Sequence, residues 1–218
     1  MHIGIIPDGN RRWAKENNKT PDELLSKWKE MISSRMKGDV VSFAVAEKEG
    51  EKHPEKWKYA KDINEISLYV MSKDNFGRQD YTLDIIYRFV EYVADMNAYF
   101  DFNINIYGNI DLLPENVRQN VDKILSKTNK ESIYNLHLAV LYDPEEDIKE
   151  YASGKRRNQS PIDLVVRSGR EQRSSGFFPC HTLYSEWYYS DKLWPEITQQ
   201  DVDDAMKQYE SRNRRFGK

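Results

Sequence analysis

Short apolar runs recur along the chain and are separated by longer segments of mixed polarity. Five of these runs are rich in branched and aromatic residues and are bounded by turn residues, which is the pattern of buried strands. They predict strands over residues 3–6, 65–71, 102–107, 136–142 and 164–166.

The segments between the runs have the features of amphipathic helices. Thr20, Pro21 and Glu23 predict a helix start, because Thr20 provides a cap, Pro21 fits the first turn and Glu23 closes a capping box. Apolar residues at helical spacing follow, and similar spacing predicts helices over residues 82–100 and 114–127.

Strands that alternate with helices in this way predict an α/β fold with a mainly parallel sheet covered on both faces. Residues 33–53 fit neither a strand nor a regular helix, and we interpret them as an insertion or an extended helix. The sequence has no internal repeat and no low-complexity tail, so we expect a single domain over residues 1–218.

The composition excludes several classes of protein. The 218 residues include 33 Lys and Arg against 36 Asp and Glu, and a net charge of -3 argues against a general polyanion binder and predicts no nucleic-acid partner. No apolar run reaches the length of about 20 residues that spans a bilayer, and no signal-peptide pattern is present. Cys180 is the one cysteine, which excludes an internal disulfide, and we expect a cytoplasmic location.

Polar clusters follow three of the predicted strands, over residues 8–12, 72–78 and 167–175. Because the carboxyl ends of parallel strands meet at one edge of a sheet, we expect the three clusters to face one another. Each cluster taken alone is more often a turn or a solvated loop. Their joint placement is what indicates a ligand site.

The three clusters combine several arginines with an acid. The arginines are Arg12, Arg78, Arg167 and Arg173. Guanidinium forks bind phosphate oxygens in pairs, so arginines that converge would suit a ligand with more charge than one monophosphate. Asp8 either neutralises an arginine or holds Mg²⁺ against phosphate oxygens. The glycines match neither a Walker A loop nor a dinucleotide fingerprint, and the combination indicates diphosphate chemistry.

Four stretches resemble the signatures of one enzyme family. They are "HIGIIPDGNRRWAK", "ISLYVMSKDNFGR", "PIDLVVRSGREQRSSGFFPCHTLYSEWYYSDKLWPEI" and "RNRRFGK". The stretches are similar, in order and over nearly the whole chain, to the signatures of the cis-prenyltransferases, the family of undecaprenyl diphosphate synthase. The resemblance implies a six-stranded parallel sheet and a homodimer or heterodimer. It also implies a Mg²⁺-dependent enzyme that condenses isopentenyl diphosphate with an allylic diphosphate and leaves a cis double bond.

The resemblance also implies roles for individual residues. Asp8 would bind Mg²⁺ and assist departure of the allylic diphosphate, and Glu186 would help to organise the metal. Ser72 and Asn75 would place the reacting groups and pass the proton. The residues expected to hold the allylic diphosphate are Gly9, Asn10, Arg11 and Arg12. Those expected to hold isopentenyl diphosphate are Arg167, Arg173 and Ser175, with Arg78 as a further diphosphate ligand. Arg215 and Gly217 would reach toward the site of a partner subunit.

An apolar cavity is expected beside these groups, because water would trap the allylic cation. The residues expected to line one wall are Leu83, Ile86, Tyr87, Phe89, Val90 and Tyr92, with plain core packing as the alternative for each. A lipid product also predicts peripheral contact with a membrane.

The sequence departs from the family pattern at several places. The stretch after the first helix lacks the usual Gly-His, Pro7 replaces a methionine, and only about a dozen residues separate Ile148 from Pro161. These departures argue against long-chain polymerisation and predict a short product. Some of them resemble the branch that contains cyclolavandulyl diphosphate synthase, which couples two dimethylallyl diphosphates head to middle. A non-catalytic partner subunit is the remaining alternative, although such subunits typically lose the aspartate that Asp8 matches.

Overall fold

The computed structural model describes residues 1–36, 59, 62–77, 80–96, 102–155 and 159–212. Arg78, Arg215 and Gly217 lie outside the described residues, as does most of the stretch 33–53. The predictions made for them stay predictions.

A six-stranded sheet forms the centre of the fold. Its strands are β1 (His2–Ile6), β2 (Glu65–Tyr69), β3 (Asn103–Tyr107), β4 (Asn135–Ala139), β5 (Leu164–Arg167) and β6 (Glu186–Tyr189). The spatial order is β3-β4-β2-β1-β5-β6, and every neighbouring pair is parallel. The α/β fold with a six-stranded parallel sheet is therefore confirmed. The carboxyl ends of β1, β2 and β5, three adjacent strands, meet at one edge.

Helices connect and cover the strands. They are α1 (Asn10–Glu16), α2 (Pro21–Met36), α3 (Thr82–Met96), α4 (Glu115–Lys127), α5 (Pro144–Ala152) and α6 (Gln199–Ser211). The capping box predicted for α2 is present: the Thr20 N–H donates to Glu23 Oε2 (2.9 Å) and the Glu23 N–H donates to Thr20 Oγ1 (3.2 Å). Across the described part of the chain, no helix combines the length and apolar character needed to cross a bilayer.

The two faces of the sheet have different coverings, because side chains alternate along each strand. On one face, Ile104 and Leu138 pack with the first four helices, and Ile3 and Leu164 pack with α6. The opposite face carries Ile6, Tyr69 and Val165. It is covered by Tyr142 and by the aromatic pair Phe177–Phe178.

Polar side chains occupy the opposite face where β1, β2 and β4 begin. His2 Nδ1 lies 2.9 Å from the Ser160 carbonyl, which can only accept, so Nδ1 donates; His2 Nε2 lies 2.8 Å from Ser67 Oγ. Glu65 Oε1 accepts from His137 Nε2 (2.7 Å) and from the Ser160 N–H (2.9 Å). Ring nitrogens of His2 and His137 and a carboxylate oxygen of Glu65 lie within 4.8 Å of one another, a spacing that could hold a metal ion. However, His2 Nδ1 donates to the Ser160 carbonyl and His137 Nε2 donates to Glu65, so both nitrogens carry a proton and are not available to a metal. This is a hydrogen-bonded network that ties three strands together.

Burial sets the protonation of this network. Burial lowers the pKa of His2 to about 4, despite the neighbouring Glu65 carboxylate, which raises it. Burial alone would raise the pKa of Glu65, but the hydrogen bond from His137, the charge of His2 and the bonds from Ser160 lower it to about 2. The native state therefore holds His2 neutral and Glu65 ionised.

Acidification should destabilise the fold through His2. Its folded pKa lies below the unfolded value of about 6.5, so the unfolded chain binds more protons as the pH falls from 6.5 toward 4. The contribution of His2 to the free energy of unfolding is fully present above pH 6.5, and about 2 kcal/mol of it should be lost at pH 5. Urea unfolding at pH 7.5 and pH 5 measures the loss. The variant His2→Gln has no group that titrates there and should lose less stability; an equal loss in both proteins would contradict the assignment.

Candidate active site

The loops that follow β1, β2 and β5 surround a cavity of about 900 Å³. The described residues that the sequence assigned to a site line this cavity, with the exception of Glu186. They are Asp8, Gly9, Asn10, Arg11, Arg12, Ser72, Asn75, Arg167, Arg173 and Ser175. The parallel sheet thus brings the three polar clusters together, as the strand-end rule requires.

Arg167 is the most deeply buried cation of the cavity. It ends β5, its side chain is 3% exposed, and its Nη2 donates to Asp8 Oδ2 over 2.9 Å. Its Nη1 donates to Ser175 Oγ (2.7 Å) and to the Arg173 carbonyl. Arg167 Nε has no hydrogen-bond partner among the described residues. A buried N–H that lacks a partner costs free energy, which the bonds made by Nη1 and Nη2 have to offset.

The remaining pocket arginines are also paired with carboxylates. Asp8 Oδ1 accepts from the Gly9 N–H (2.6 Å) and, more weakly, from Arg12 Nη2 (3.4 Å). Glu171 accepts from Arg173 and lies 3.5 Å from Arg12. Two carboxylates, those of Asp8 and Glu171, therefore link three arginines. Glu171 was not among the predicted site residues, although its position between arginines was a usable signal.

Backbone packing fixes Asp8 in this arrangement. Its carbonyl accepts from Ser168 Oγ (2.9 Å) and from the Trp194 N–H (2.9 Å). Gly169, at φ 97°, approaches so closely that a Cβ there would lie 2.9 Å from Arg12 Nη2 and 2.9 Å from the backbone carbon of Asp8. A side chain at position 169 would have to displace the Asp8 backbone and the Arg12 side chain.

Asn10 and Arg11 make bonds that orient the start of α1. Asn10 Nδ2 donates to the Pro7 carbonyl (2.7 Å), and Asn10 Oδ1 accepts from Trp28 Nε1 (2.8 Å). Arg11 Nη1 donates to Asp80 Oδ2 over 2.6 Å, in the loop before α3. Both residues line the cavity, but protein groups already occupy part of their hydrogen-bonding capacity.

The loop after β2 is held from the other side. Ser72 pairs with Tyr142 in an isolated parallel bridge, and Lys73 Nζ donates to Asp143 Oδ2 over 2.8 Å. The Asp143 carboxylate also accepts from the first backbone N–H groups of α5, so it both caps that helix and anchors the loop. Asn75 closes the short 3-10 turn that follows Ser72.

Glu186 does not join this group. It begins β6 and is paired with Leu164, the first residue of β5, whereas Asp8 follows the last residue of β1. In a parallel sheet those positions lie at opposite edges. The Glu186 carboxylate is instead bound by Arg212. Within one chain Glu186 therefore lies away from Asp8, and its predicted role in organising the metal ion stays a prediction.

An apolar wall completes the cavity. It is formed by Leu24 and Trp28 of α2 and by Ile85 and Ile86 of α3. Of the residues predicted for this wall, Ile86 lines the cavity. The others belong to different parts of α3: Phe89 and Val90, for example, are buried in the core behind the wall.

A family model described as "Putative undecaprenyl diphosphate synthase" matches residues 47–156 and 151–217. The chain belongs to this family. It is a prenyl transferase of the cis-prenyltransferase type, a class of enzymes in isoprenoid biosynthesis, as the motifs predicted.

Curated relatives cover the whole chain. It is 29% identical over 248 residues to the tritrans,polycis-undecaprenyl-diphosphate synthase (geranylgeranyl-diphosphate specific) of Thermoplasma acidophilum, covering 100% of this chain and 88% of the relative. The chain is 31% identical over 236 residues to the enzyme of the same name from Aeropyrum pernix, and the match covers 99% of this chain and 97% of the relative.

A solved structure, lavandulyl diphosphate synthase from Lavandula x intermedia in complex with dimethylallyl diphosphate, shares the fold. The TM-score is 0.73 at 24% sequence identity, covering 100% of this chain and 98% of that one. The structure of a probable undecaprenyl diphosphate synthase from Campylobacter jejuni gives a TM-score of 0.68 at 19% identity, and the match covers 100% of this chain and 98% of that one. Both likenesses support the assignment of the fold.

The packing of Gly169 predicts a selective loss of activity. Gly169→Ala should lower kcat/KM about a hundredfold, because small displacements of charged groups are costly in a preorganised site. Gly154→Ala is the matched control: Gly154 also has a positive φ (87°), but a Cβ there meets nothing within 4 Å. Both variants should lose about 1–3 kcal/mol of stability from backbone strain. Prenyl-transfer rates and melting curves measured together test this, and equal activity in the two variants would contradict it.

Proposed function

We propose that the chain transfers a short allylic prenyl group to isopentenyl diphosphate, in a Mg²⁺-dependent reaction, and releases a short cis-prenyl diphosphate. In this reaction a carbon–carbon bond forms, the allylic carbon–oxygen bond breaks with loss of diphosphate, and the acceptor loses one proton. The observation that carries the proposal is the cavity itself, in which four arginines and Asp8 lie next to an apolar wall.

The charge of the cavity fits two diphosphates. Among the described residues, Arg12, Arg167 and Arg173 form ion pairs with the carboxylates of Asp8 and Glu171. Diphosphate oxygens can replace these carboxylates, since charge-assisted bonds from guanidinium forks favour phosphate oxygens equally well. Arg167, Arg173 and Ser175 would hold the acceptor, and the residues from Gly9 to Arg12 would hold the allylic diphosphate. Arginines already in place stabilise the charge that develops as the diphosphate leaves.

The chemistry of the donors fits a magnesium ion at Asp8. Mg²⁺ is usually bound by one or two carboxylates together with substrate phosphate oxygens, and the Asp8 carboxylate is one-third exposed to the cavity. Asp8 would hold the ion, which would neutralise charge on the departing diphosphate. Ser72 and Asn75, on the loop anchored by Lys73, would place the acceptor and pass the proton that it loses.

The size of the cavity supports a short product. Its volume of about 900 Å³ must contain two diphosphates as well as the prenyl tails. Pockets for single drug-sized ligands already occupy about 300–1,000 Å³. The relatives are named for undecaprenyl products, and this chain is proposed to stop well before that length.

Irregular coupling of two dimethylallyl diphosphates is the second candidate function. The sequence features that favour it are Pro7 before Asp8 and the absence of Gly-His after the first helix. The Pro7 carbonyl accepts from Asn10 Nδ2, so this proline belongs to the loop that carries the proposed allylic site. The two candidate reactions differ in the acceptor, which is isopentenyl diphosphate in the first and dimethylallyl diphosphate in the second. A reaction without isopentenyl diphosphate therefore separates them.

We also propose a cytoplasmic homodimer that contacts membranes through its lipid product. Support for a partner comes from β6, an edge strand whose residues are all half-buried, and from the exposed Leu183 and Tyr184 that precede it. In such a dimer Arg215 and Gly217 would reach the site of the partner subunit.

Product analysis by mass spectrometry tests the proposed function. Dimethylallyl diphosphate with isopentenyl diphosphate and Mg²⁺ should give products that grow by isoprene units, and chelation of the metal should stop the reaction. Product from dimethylallyl diphosphate alone would establish irregular coupling instead. Absence of product with every allylic diphosphate would contradict an autonomous enzyme.

The same assay with Asp8→Asn separates an enzyme from a non-catalytic subunit. Turnover should fall by about a hundredfold or more, because the variant loses the charge proposed to bind the metal. Asp111→Asn, at an exposed acid in the turn before α4, is the matched control and should keep full activity. Melting curves check that both variants fold. Full turnover by Asp8→Asn would exclude the role assigned to Asp8.

A further inference from the structure

Trp28 connects the apolar wall of the cavity to the loop that carries Asp8. Its indole Nε1–H donates to Asn10 Oδ1 over 2.8 Å, and Asn10 Nδ2 in turn donates to the Pro7 carbonyl over 2.7 Å. Trp28 is half-buried, and the partner of its indole N–H is a side chain that itself lines the cavity. The wall for the prenyl tail and the diphosphate loop are thus one hydrogen-bonded unit.

The same indole marks the end of the cavity along α3. Ile85 and Ile86 line the cavity, but Phe89, one turn further, is 6% exposed and does not. Trp28 packs edge-on against Phe89, with ring centroids 5.3 Å apart and an interplanar angle of 87°. Among the described residues, the lining of the cavity along α2 and α3 therefore ends where these two rings meet.

We propose that Trp28 determines the length of the prenyl tail and couples that length to the grip on the diphosphate, an inference that rests on the proposed function. A tail that fits occupies the space in front of the indole and leaves the bond to Asn10 intact. A longer tail has to displace the indole. Displacement breaks the Nε1–H···Oδ1 bond and releases Asn10, so an overlong tail is disfavoured both by its shape and by a loosened diphosphate site.

Binding of unreactive allylic analogues tests the steric part of this proposal without any turnover. The probes are the thiolodiphosphates of dimethylallyl, geranyl, farnesyl and geranylgeranyl alcohols, titrated by calorimetry with Mg²⁺. The wild-type protein should bind the longer probes at least about tenfold more weakly than the shorter ones, since misfit of apolar groups in a closed pocket carries penalties of that order. Trp28→Ala should move this limit by one isoprene unit or more and should lengthen the products in the enzymatic assay.

Two further variants isolate the effect of Trp28. Leu25→Ala truncates another buried residue of α2 that does not line the cavity, so it should reduce stability and leave the length limit unchanged. Trp28→Phe keeps a ring in place but removes the N–H. It should keep the product length and raise the KM for the allylic diphosphate roughly threefold to tenfold, the range expected for one lost hydrogen bond.

The outcomes distinguish this inference from the proposed function. A wild-type protein that shows the length-dependent binding but no turnover would contradict the proposed function and support the inference. An unchanged length limit in folded Trp28→Ala would overturn the steric role. An unchanged KM in Trp28→Phe would overturn the coupling to Asn10. Failure to bind any of the probes would overturn both the inference and the proposed function.

Discussion

Arg167 ends β5, Asp8 follows the neighbouring strand β1, and a 2.9 Å ion pair joins their side chains at the edge of the sheet. Arg167 is almost completely buried, so its charge needs a partner at all times. That partner is Asp8, whose carboxylate holds the buried cation where we propose that a substrate diphosphate binds. The same carboxylate is the group proposed to bind Mg²⁺ when diphosphates arrive. In the proposed reaction, each of these two residues therefore holds the other in position.

The elements that the sequence predicted are those with a strong burial pattern. β1 and β5 were visible because nearly all of their residues are buried, which produces continuous apolar runs. β6 was not predicted, since all four of its residues are half-buried at the edge of the sheet and show no alternation. α6 was missed for a similar reason, because Ala205 and Met206 are its buried residues among many charges.

The site was predictable where it depends on strand ends and not where it depends on register or tertiary contact. Asp8 and Arg167 could be expected to meet because both follow parallel strands. Glu186 lies at the opposite edge, and a motif carries no information about which end of a strand its residues occupy. The Trp28–Asn10 hydrogen bond joins side chains 18 residues apart on two helices, a contact set only by the packing of α1 against α2.

We propose that substrate diphosphates take the place of carboxylates around Arg167. A crystal structure with isopentenyl diphosphate, dimethylallyl thiolodiphosphate and Mg²⁺ would show this replacement. We expect diphosphate oxygens within hydrogen-bond distance of Arg167 and Arg173, with the Asp8 carboxylate turned from Arg167 toward the metal. Diphosphates bound elsewhere, with the pair between Asp8 and Arg167 intact, would contradict it.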